Sequence, residues 1–421
     1  MKSKVTLTAA ALVLGLQFGA PAQAQDKTFS VWWWELPATA QNKAWTKGLE
    51  EFKAKHPDVT VNFELKTFDQ MQKAGGMILN SGAVPDLTEY NKGNATAGLV
   101  ASQGLLTPLD DVFKERGWGN TLNESMLRLS KYDEKGVFGS GPIIGVPAYG
   151  EYVSVFYNVD MFEANGLKVP KTLEEFEAVL DAFNKKGILP LVTGTKDAPA
   201  QHLFATLAYT QADDAWIANY QGLKTPLDTK PFLWAAQKVQ DWVSKGYISK
   251  DSTGMKGDDA VAQFMAGKSP MYISGTWNTG TFSAGIKTFK WDQFIFPTPK
   301  YSVGSTGSLF VVPANAKNKD LAYDFIDIVI GKANQTEQAN AGGVALAADN
   351  AAVTDPVGKQ VSTNFAEIAG KGGLGLYPDW PVPGYYETLI QACTGLIAGT
   401  TTPEDFVERL RVAYDDAQAN Q

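Results

Sequence analysis

The sequence predicts an α/β protein built from two lobes. Short apolar strands alternate along the chain with long amphipathic helices, an order typical of mainly parallel sheets flanked by helices. With 421 residues, the chain is also longer than one hydrophobic core usually supports. We therefore expect two lobes, each with its own sheet and core.

The predicted elements follow from local patterns. Alternating apolar residues indicate strands at residues 28–34 and 59–63. His56-Pro57 ends the helix between them, because a residue before proline avoids helical backbone angles. Thr172-Leu-Glu-Glu175 forms a capping box, and Thr402-Pro403 places proline in a first helical turn. Four helices have apolar faces, made of Trp45, Leu49 and Phe52; Phe176, Val179, Leu180 and Phe183; Leu321, Phe325, Ile328 and Val329; and Phe406, Leu410 and Tyr414.

The first residues have the pattern of a secretion signal. Lys2 and Lys4 precede an apolar stretch at residues 5–18, which is too short for a comfortable membrane span. Ala22-Gln23-Ala24 then fits the small-x-small cleavage pattern, so residues 1–24 are the expected signal peptide. The only cysteine is Cys393, so no lipidation site follows the cleavage point and no internal disulfide can form. We expect an unlipidated periplasmic protein.

Charge and residue types exclude several function classes. The formal net charge is −8 with no Lys/Arg-rich block, which argues against a nucleic-acid partner or an anionic membrane surface. The chain has only two histidines, His56 and His202, so a histidine-based metal site or a nucleophile–histidine pair has few possible members. Acids are plentiful, but no motif selects the two opposed carboxylates of a glycosidase. We expect no catalysis, no cofactor and no metal.

One acid stands at an unusual place. Residues 152–157 form a β-branched and aromatic run typical of a buried strand. Glu151 stands at the head of this run, where an unpaired carboxylate would be costly to bury. Two interpretations stay open: the carboxylate faces a ligand in a cleft, or it caps a backbone group or pairs with a lysine.

Five segments carry a family resemblance over nearly the whole mature chain. In order, they are the first strand with its helix ending EEFKAKHPDVTV; GAVPDLTEYNKGNATAGLVASQGLLTPLDD; GVPAYGEYVSVFYNVDMFEANGLKVPKTLEEF; AVAQFMAGKSPMYISGTW; and VVPANAKNKDLAYDFIDIV. Together they resemble the extracellular solute-binding proteins of the sugar-binding, maltose-binding-protein-like group of ATP-binding-cassette importers. The resemblance implies a monomer that binds a carbohydrate and delivers it to the membrane subunits of a permease.

The same resemblance implies a two-lobed periplasmic-binding-protein fold with the ligand in a cleft between the lobes. Hinge crossings are expected near Gly145–Glu151, within FPTPKYSVGS and near Gly331–Gly343. The implied first lobe comprises residues 25–150 and 298–331, and the implied second lobe residues 151–297 and 332–421. Two alternatives stay open: a binder of another solute (a polyol, an anion or a metal ion), and a secreted carbohydrate-active enzyme.

Candidate site residues follow from what a sugar presents: hydroxyl groups at its rim and an apolar ring face. By resemblance, Trp277 stacks on the sugar, with core packing as its alternative, and Glu151 contacts hydroxyls. Trp34 and Glu35 end the first strand, where open parallel sheets present their ligand sites. Asn91 and Lys92 follow the strand PDLTEY, where the family places contacts, although a plain turn is an equal alternative. The remaining candidates are Gln70, Tyr149, Asn278, Ser305, Thr306 and Trp380.

Overall fold

The computed structural model describes residues 27–420. Its strands are β1 (Lys27–Trp33), β2 (Val59–Leu65), β3 (Leu87–Tyr90), β4 (Lys131–Tyr132), β5 (Phe138–Ile143), β6 (Val146–Pro147), β7 (Glu151–Asn158), β8 (Leu191–Val192), β9 (Met271–Gly275), β10 (Trp291–Phe294), β11 (Gly304–Ser305) and β12 (Leu309–Val311). The expected signal peptide and its cleavage site lie outside the described residues.

The helices are α1 (Ala40–Lys55), α2 (Phe68–Leu79), α3 (Leu99–Ser102), α4 (Asp110–Arg116), α5 (Glu124–Leu127), α6 (Val159–Ala164), α7 (Leu173–Asn184), α8 (Pro199–Tyr209), α9 (Asp214–Gln221), α10 (Lys230–Ser244), α11 (Gly257–Met265), α12 (Thr279–Gly285), α13 (Lys319–Ile330), α14 (Lys332–Asn340), α15 (Pro356–Gly370), α16 (Tyr385–Ala398) and α17 (Pro403–Ala419). The four helices expected from apolar spacing are α1, α7, α13 and α17. Between residues 27 and 420, no helix is both long enough and apolar enough to cross a membrane.

The first sheet has the strand order β2-β1-β3-β12-β6. β1 runs parallel to β2 and β3, whereas β12 is antiparallel to its two neighbours. The inward face of β1 packs on α1 and α13, with the rings of Trp33 and Trp45 5.6 Å apart and those of Phe29 and Phe325 5.8 Å apart. The alternation read from the sequence therefore places Phe29 and Trp33 in the core of the first lobe.

The second sheet has the order β10-β7-β9-β8, with β11 also paired to β7. Strand β7 is buried along its whole length and runs antiparallel to β9, β10 and β11, whereas β8 and β9 are parallel. The sheet is therefore mixed rather than mainly parallel. Strand β7 enters this sheet directly from the first lobe, and the strands that pair with it come later in the chain.

The chain passes between the two sheets at short connections. Only residues 148–150 separate β6 of the first sheet from β7 of the second, and only residues 306–308 separate β11 from β12. The backbone N–H of Gly150 also donates to the Val344 carbonyl at 3.0 Å, which brings the third connection to the same place. All three connections thus meet between the lobes.

Two segments differ from the expected lobe boundaries. Ser305 pairs with Glu151, so the chain just before residue 306 belongs with the second sheet rather than the first. Helix α14 packs on α1 of the first lobe, where the Asn334 side chain donates to the Ala44 carbonyl at 2.7 Å and Lys47 pairs with Glu337 at 2.6 Å. We therefore place the second crossing at residues 306–308 and the third after α14.

Candidate functional site

Buried acids meet where the lobes join. Glu35 follows β1, Glu89 lies in β3 and Glu151 begins β7, and these side chains are 6%, 1% and 7% exposed. Each carboxylate lies close enough to another to act on it electrostatically. We call these three residues the acid cluster. Burial raises the pKa of both Glu35 and Glu151 to about 7, and it raises the pKa of Glu89 well above its usual range, with further repulsion from Glu35.

Neutral donors hold parts of the acid cluster in place. The backbone N–H of Trp34 donates to Glu89 at 3.0 Å. The Ser305 hydroxyl donates to Glu151 at 2.9 Å, a contact fixed by the pairing of β11 with β7. Thr39 also hydrogen-bonds Glu35, and Tyr377 hydrogen-bonds Glu151.

One lysine opposes the acid cluster. Lys92 follows β3, is completely buried, and donates through Nζ to the hydroxyl of Thr306. Burial lowers the pKa of Lys92 to about 7, an effect that the negative charge of Glu151 partly offsets. Because Thr306 lies in the second crossing and Lys92 in the first lobe, this hydrogen bond connects the hinge to the first lobe.

Four rings form an aromatic cluster beside Glu151: His202, Trp277, Tyr377 and Trp380. The centroid of His202 lies 5.5 Å from that of Trp277 and 5.4 Å from that of Tyr377, and Tyr377 lies 5.3 Å from Trp380. Trp277 is half-buried, whereas the other three are buried. Trp277 is therefore the least buried ring of this cluster.

The aromatic cluster contains two buried polar atoms, the Tyr377 hydroxyl and His202 Nδ1. The Tyr377 hydroxyl hydrogen-bonds Glu151, whereas His202 Nδ1 has no hydrogen-bond partner among the described residues. The Tyr377 hydroxyl lies near Glu151, whose negative charge adds to burial in raising the pKa of Tyr377. Burial lowers the pKa of His202 to about 3, so its ring is neutral at pH 7.

Gly275 allows Trp277 its position. Trp277 lies in a short 3₁₀ turn (Thr276–Asn278) at the end of β9, and its ring folds back over Gly275. A Cβ at Gly275 would lie 1.9 Å from Cζ3 of the Trp277 ring. Asn278 donates to Ser274 Oγ at 3.1 Å and to the Gly275 carbonyl at 3.2 Å, so its amide holds this turn.

The other candidates divide into those near the acid cluster and those away from it. The Tyr149 hydroxyl lies 3.5 Å from Glu89 and donates to Ser308 at 3.3 Å. Trp34 and Asn91 line a small pocket with Gln72, which accepts from the Asn91 amide at 3.1 Å. Gln70 is exposed in the first turn of α2 and is not brought to the site, because its side chain lies on the outer face of that helix.

Trp380 joins the lobes through its backbone as well as its ring. Its carbonyl accepts from the Ala95 N–H of the first lobe at 3.1 Å. Gly93 allows this approach, since a Cβ there would lie 2.8 Å from the Trp380 side chain. The lobes are thus in contact beside the aromatic cluster.

Sequence reasoning missed Glu89, Tyr377 and His202. A signal for Glu89 was present: it is an acid inside an apolar strand, the same feature that singled out Glu151. Tyr377 and His202 gave no such signal, because they come from a loop and a helix that reach the site only through tertiary packing.

Glutamine at position 151 is expected to change the pH dependence of stability. The pKa of Glu151 is about 7 in the folded chain and about 4.3 in an unfolded one. Between these two pH values the Glu151 carboxyl is protonated in the folded chain but ionised in the unfolded one. The stability that this proton contributes is therefore complete below about pH 4.3 and is lost as pH rises through about 7. Relative to wild type, Glu151→Gln should gain stability between pH 5 and pH 8, by at most about 3 kcal/mol.

Melting curves across this range measure the effect. Glu115→Gln, an exposed change in α4, is the matched control and should follow wild type at every pH. If the melting temperatures of wild type and Glu151→Gln changed with pH in parallel, the pKa of Glu151 would not be raised in the folded chain.

Comparison with known proteins identifies the family of this chain. Residues 37–336 match the model of the bacterial extracellular solute-binding proteins. The chain belongs to this family. Its members are binding proteins, and the family location is extracellular, in agreement with the resemblance seen in the sequence.

Individual relatives are distant. A probable sugar-binding periplasmic protein of Rhizobium meliloti is 24% identical over 43% of this chain, and the aligned segment spans 42% of that relative's length. The putrescine-binding periplasmic protein of Escherichia coli is 25% identical over 69% of this chain and 81% of its own length. A solved chitin oligosaccharide binding protein has a TM-score of 0.79 at 22% identity, covering 94% of this chain and 100% of that one. This last likeness confirms the two-lobed periplasmic-binding-protein fold.

Proposed function

We propose that this chain is the periplasmic binding component of an ATP-binding-cassette importer. It captures a carbohydrate between its lobes and delivers it to the membrane subunits of a permease. The observation that carries the proposal is the meeting of buried carboxylates and a half-buried tryptophan where the lobes join. Carboxylates accept hydrogen bonds from sugar hydroxyls, and an aromatic face covers the apolar face of a sugar ring.

The comparisons support this proposal. The Rhizobium meliloti relative is described as a probable sugar-binding protein, and the solved structure as a chitin oligosaccharide binding protein. Both descriptions agree with the chemistry of the acid and aromatic clusters.

The hinge supplies the proposed mechanism. Glu35 and Lys92 belong to the first lobe, Trp277 to the second, and Glu151 lies at the crossing between them. A ligand that contacts both lobes stabilises the arrangement in which they approach, because it binds that state better than an open one. No covalent step is required, and we propose that the chain acts as a monomer, exported by a cleaved signal peptide without lipidation.

A cationic solute is the second candidate. The putrescine-binding relative and the excess of acids over lysine at the site both favour it. An anionic ligand is disfavoured, because buried carboxylates would repel it. Within residues 27–420, no group of three or more His, Cys, Asp or Glu side chains is arranged to hold a metal ion.

A thermal-shift screen tests the proposed function. The purified mature chain is melted with neutral sugars, amino sugars, polyols, sugar acids and putrescine. Ligands that bind only the folded state raise the melting temperature. A rise with one or more sugars supports the proposal, whereas a rise only with putrescine or another non-sugar solute would contradict it.

Ligand is also expected to shift the lobes towards the compact arrangement. Small-angle scattering with and without a saturating sugar should show a smaller radius of gyration when the sugar is bound, since the three connections let the lobes rotate. Equal dimensions in both states, with binding shown by calorimetry, would mean that binding does not close the lobes.

A further inference from the structure

We propose that two side chains outside the site, Tyr209 of α8 and Gln221 of α9, position Tyr377. They hold the loop at residues 375–380, which carries Tyr377, in a backbone conformation that its own sequence disfavours. This role rests on the proposed carbohydrate binding, because Tyr377 contacts Glu151, the acid expected to accept hydrogen bonds from the sugar. Tyr209 and Gln221 thus act on the ligand only through the loop.

One residue of the loop has an unusual backbone conformation. Leu376 has a φ of 59°, in the left-handed region that residues other than glycine rarely adopt. Its side chain is buried in the core of the second lobe. Such a conformation costs free energy and persists only where surrounding contacts enforce it. Because Leu376 directly precedes Tyr377, its backbone angles help to set the direction of the Tyr377 side chain.

Four consecutive carbonyls of the loop accept hydrogen bonds from buried side chains of α8 and α9. The donors and the carbonyls that they bind are Tyr209 to Leu376 at 3.1 Å, Gln221 to Gly375 at 3.2 Å and to Tyr377 at 3.3 Å, and Tyr220 to Pro378. The contacts that enforce the conformation of Leu376 therefore come from these two helices.

Tyr209 also packs against the loop. A Cβ on Gly375 would lie 2.5 Å from Cε2 of the Tyr209 ring, so the ring and the loop backbone are in direct contact. The Gly375 N–H donates to the Ser302 carbonyl at 2.8 Å, and at the other end of the loop the Trp380 carbonyl accepts from Ala95. Because both ends are fixed, loss of the central hydrogen bonds is expected to change the centre of the loop rather than to release all of it.

The loop brings the Tyr377 hydroxyl into a hydrogen bond with Glu151. This donor favours the ionised carboxylate and so lowers the pKa of Glu151, against the larger effect of burial, which raises it. The other titratable groups that interact with Glu151 come from the first lobe and the first crossing, and they are Glu35, Glu89, Lys92 and Tyr149. The pKa of Glu151 therefore reports the position of Tyr377 even without a bound ligand.

NMR titration of the glutamate carboxyl carbons in the ligand-free mature chain tests the inference. The Glu151 signal is assigned by its loss in Glu151→Gln. The double variant Tyr209→Phe with Gln221→Met removes three of the loop's hydrogen bonds with little change in side-chain volume. It should raise the midpoint of the Glu151 titration by about one pH unit, the effect of losing a hydrogen bond to a charged group. Tyr377→Phe should raise the midpoint equally.

A control and a rescue accompany this test. Tyr247→Phe removes a hydroxyl 3.5 Å from Asp181 in the same lobe, and should leave the Glu151 midpoint at its wild-type value. Adding Leu376→Gly or Leu376→Asn to the double variant should return the midpoint towards wild type, because both residues tolerate the left-handed region. An unchanged midpoint in the double variant, or failure of both rescue substitutions, would overturn the positioning role.

Calorimetric titration with glucose and with chitin disaccharide connects the loop to binding. A rise in the Glu151 midpoint from about 7 to about 8 lowers the ionised fraction at pH 7 from about one half to about one tenth. A sugar that binds the ionised form should therefore bind the double variant about fivefold more weakly at pH 7, and most of this difference should vanish at pH 9.

The outcomes separate this role from the proposed function. Equal sugar affinities of wild type and the double variant at pH 7 would overturn the positioning role while carbohydrate binding stands. If no sugar binds the wild-type chain, the proposed function fails, whereas the Glu151 midpoint still decides whether Tyr209 and Gln221 position Tyr377. Melting curves show that each variant compared is folded.

Discussion

Replacing Trp277 by alanine is expected to weaken sugar binding at least about tenfold while the chain stays folded. An aromatic ring stacked on a ligand contributes about 0.5–1.5 kcal/mol beyond its buried area, and a factor of ten corresponds to about 1.4 kcal/mol. The ring is half-buried and lies at the edge of the aromatic cluster, so its removal opens little of the core. Calorimetric titration and a melting curve on the variant measure both effects.

Trp242→Ala is the matched core control. Trp242 is completely buried in α10, and its ring stacks on Phe176 at 5.7 Å. Its truncation should cost about 3–5 kcal/mol of stability, as is usual for a buried tryptophan. If Trp277→Ala instead lowered the melting temperature as Trp242→Ala does, and left affinity unchanged in the surviving folded protein, Trp277 would be a core residue.

Gly275→Ala is expected to lower affinity as much as Trp277→Ala, although it adds only a methyl group. The backbone of Gly275 has φ −78° and ψ 158°, angles that alanine adopts without strain. The added Cβ would overlap the Trp277 ring, at 1.9 Å from Cζ3 and 2.1 Å from Cη2, so the ring must leave its place. The turn itself is kept by Asn278, and the chain should remain folded.

Gly82→Ala is the control for this substitution. Gly82 is exposed, and a Cβ there would meet no atom within 4 Å. The affinity of Gly82→Ala for the sugar should equal that of wild type. Unchanged affinity in Gly275→Ala would show that the position of the Trp277 ring does not matter for binding.

The sequence predicted the α/β class and the helices because their signals are local. Apolar spacing and caps identified α7 and α17, whose first turns are held by Thr172 and Thr402. The direction of β7 and the lobe assignment of α14 were not accessible in this way. Both depend on which distant segment an apolar face meets, such as α14 on α1, and spacing along the chain carries no such information.

The candidate site also has residues that local sequence signals identify and residues that only tertiary packing brings together. Glu151 stood out because an acid at the head of an apolar strand needs a reason, and Glu35 because it ends the first strand. The structure brings both into the acid cluster. Gln70 was a candidate, whereas the structure places Gln72, two residues further along the same helix, beside Asn91; a shift of two residues turns a side chain to the other face of a helix. The aromatic partners of Trp277 come from α8 and the segment before α16, so only packing brings them together.

A crystal structure of the mature chain with the sugar that gives the largest thermal shift tests the central claim most directly. The account predicts density for the sugar between the lobes, in contact with Trp277 and Glu151 and with Glu35 or Lys92 of the first lobe. A sugar bound elsewhere would contradict it, for example in the surface cavity beside Trp216 and Tyr414, with the acid and aromatic clusters untouched.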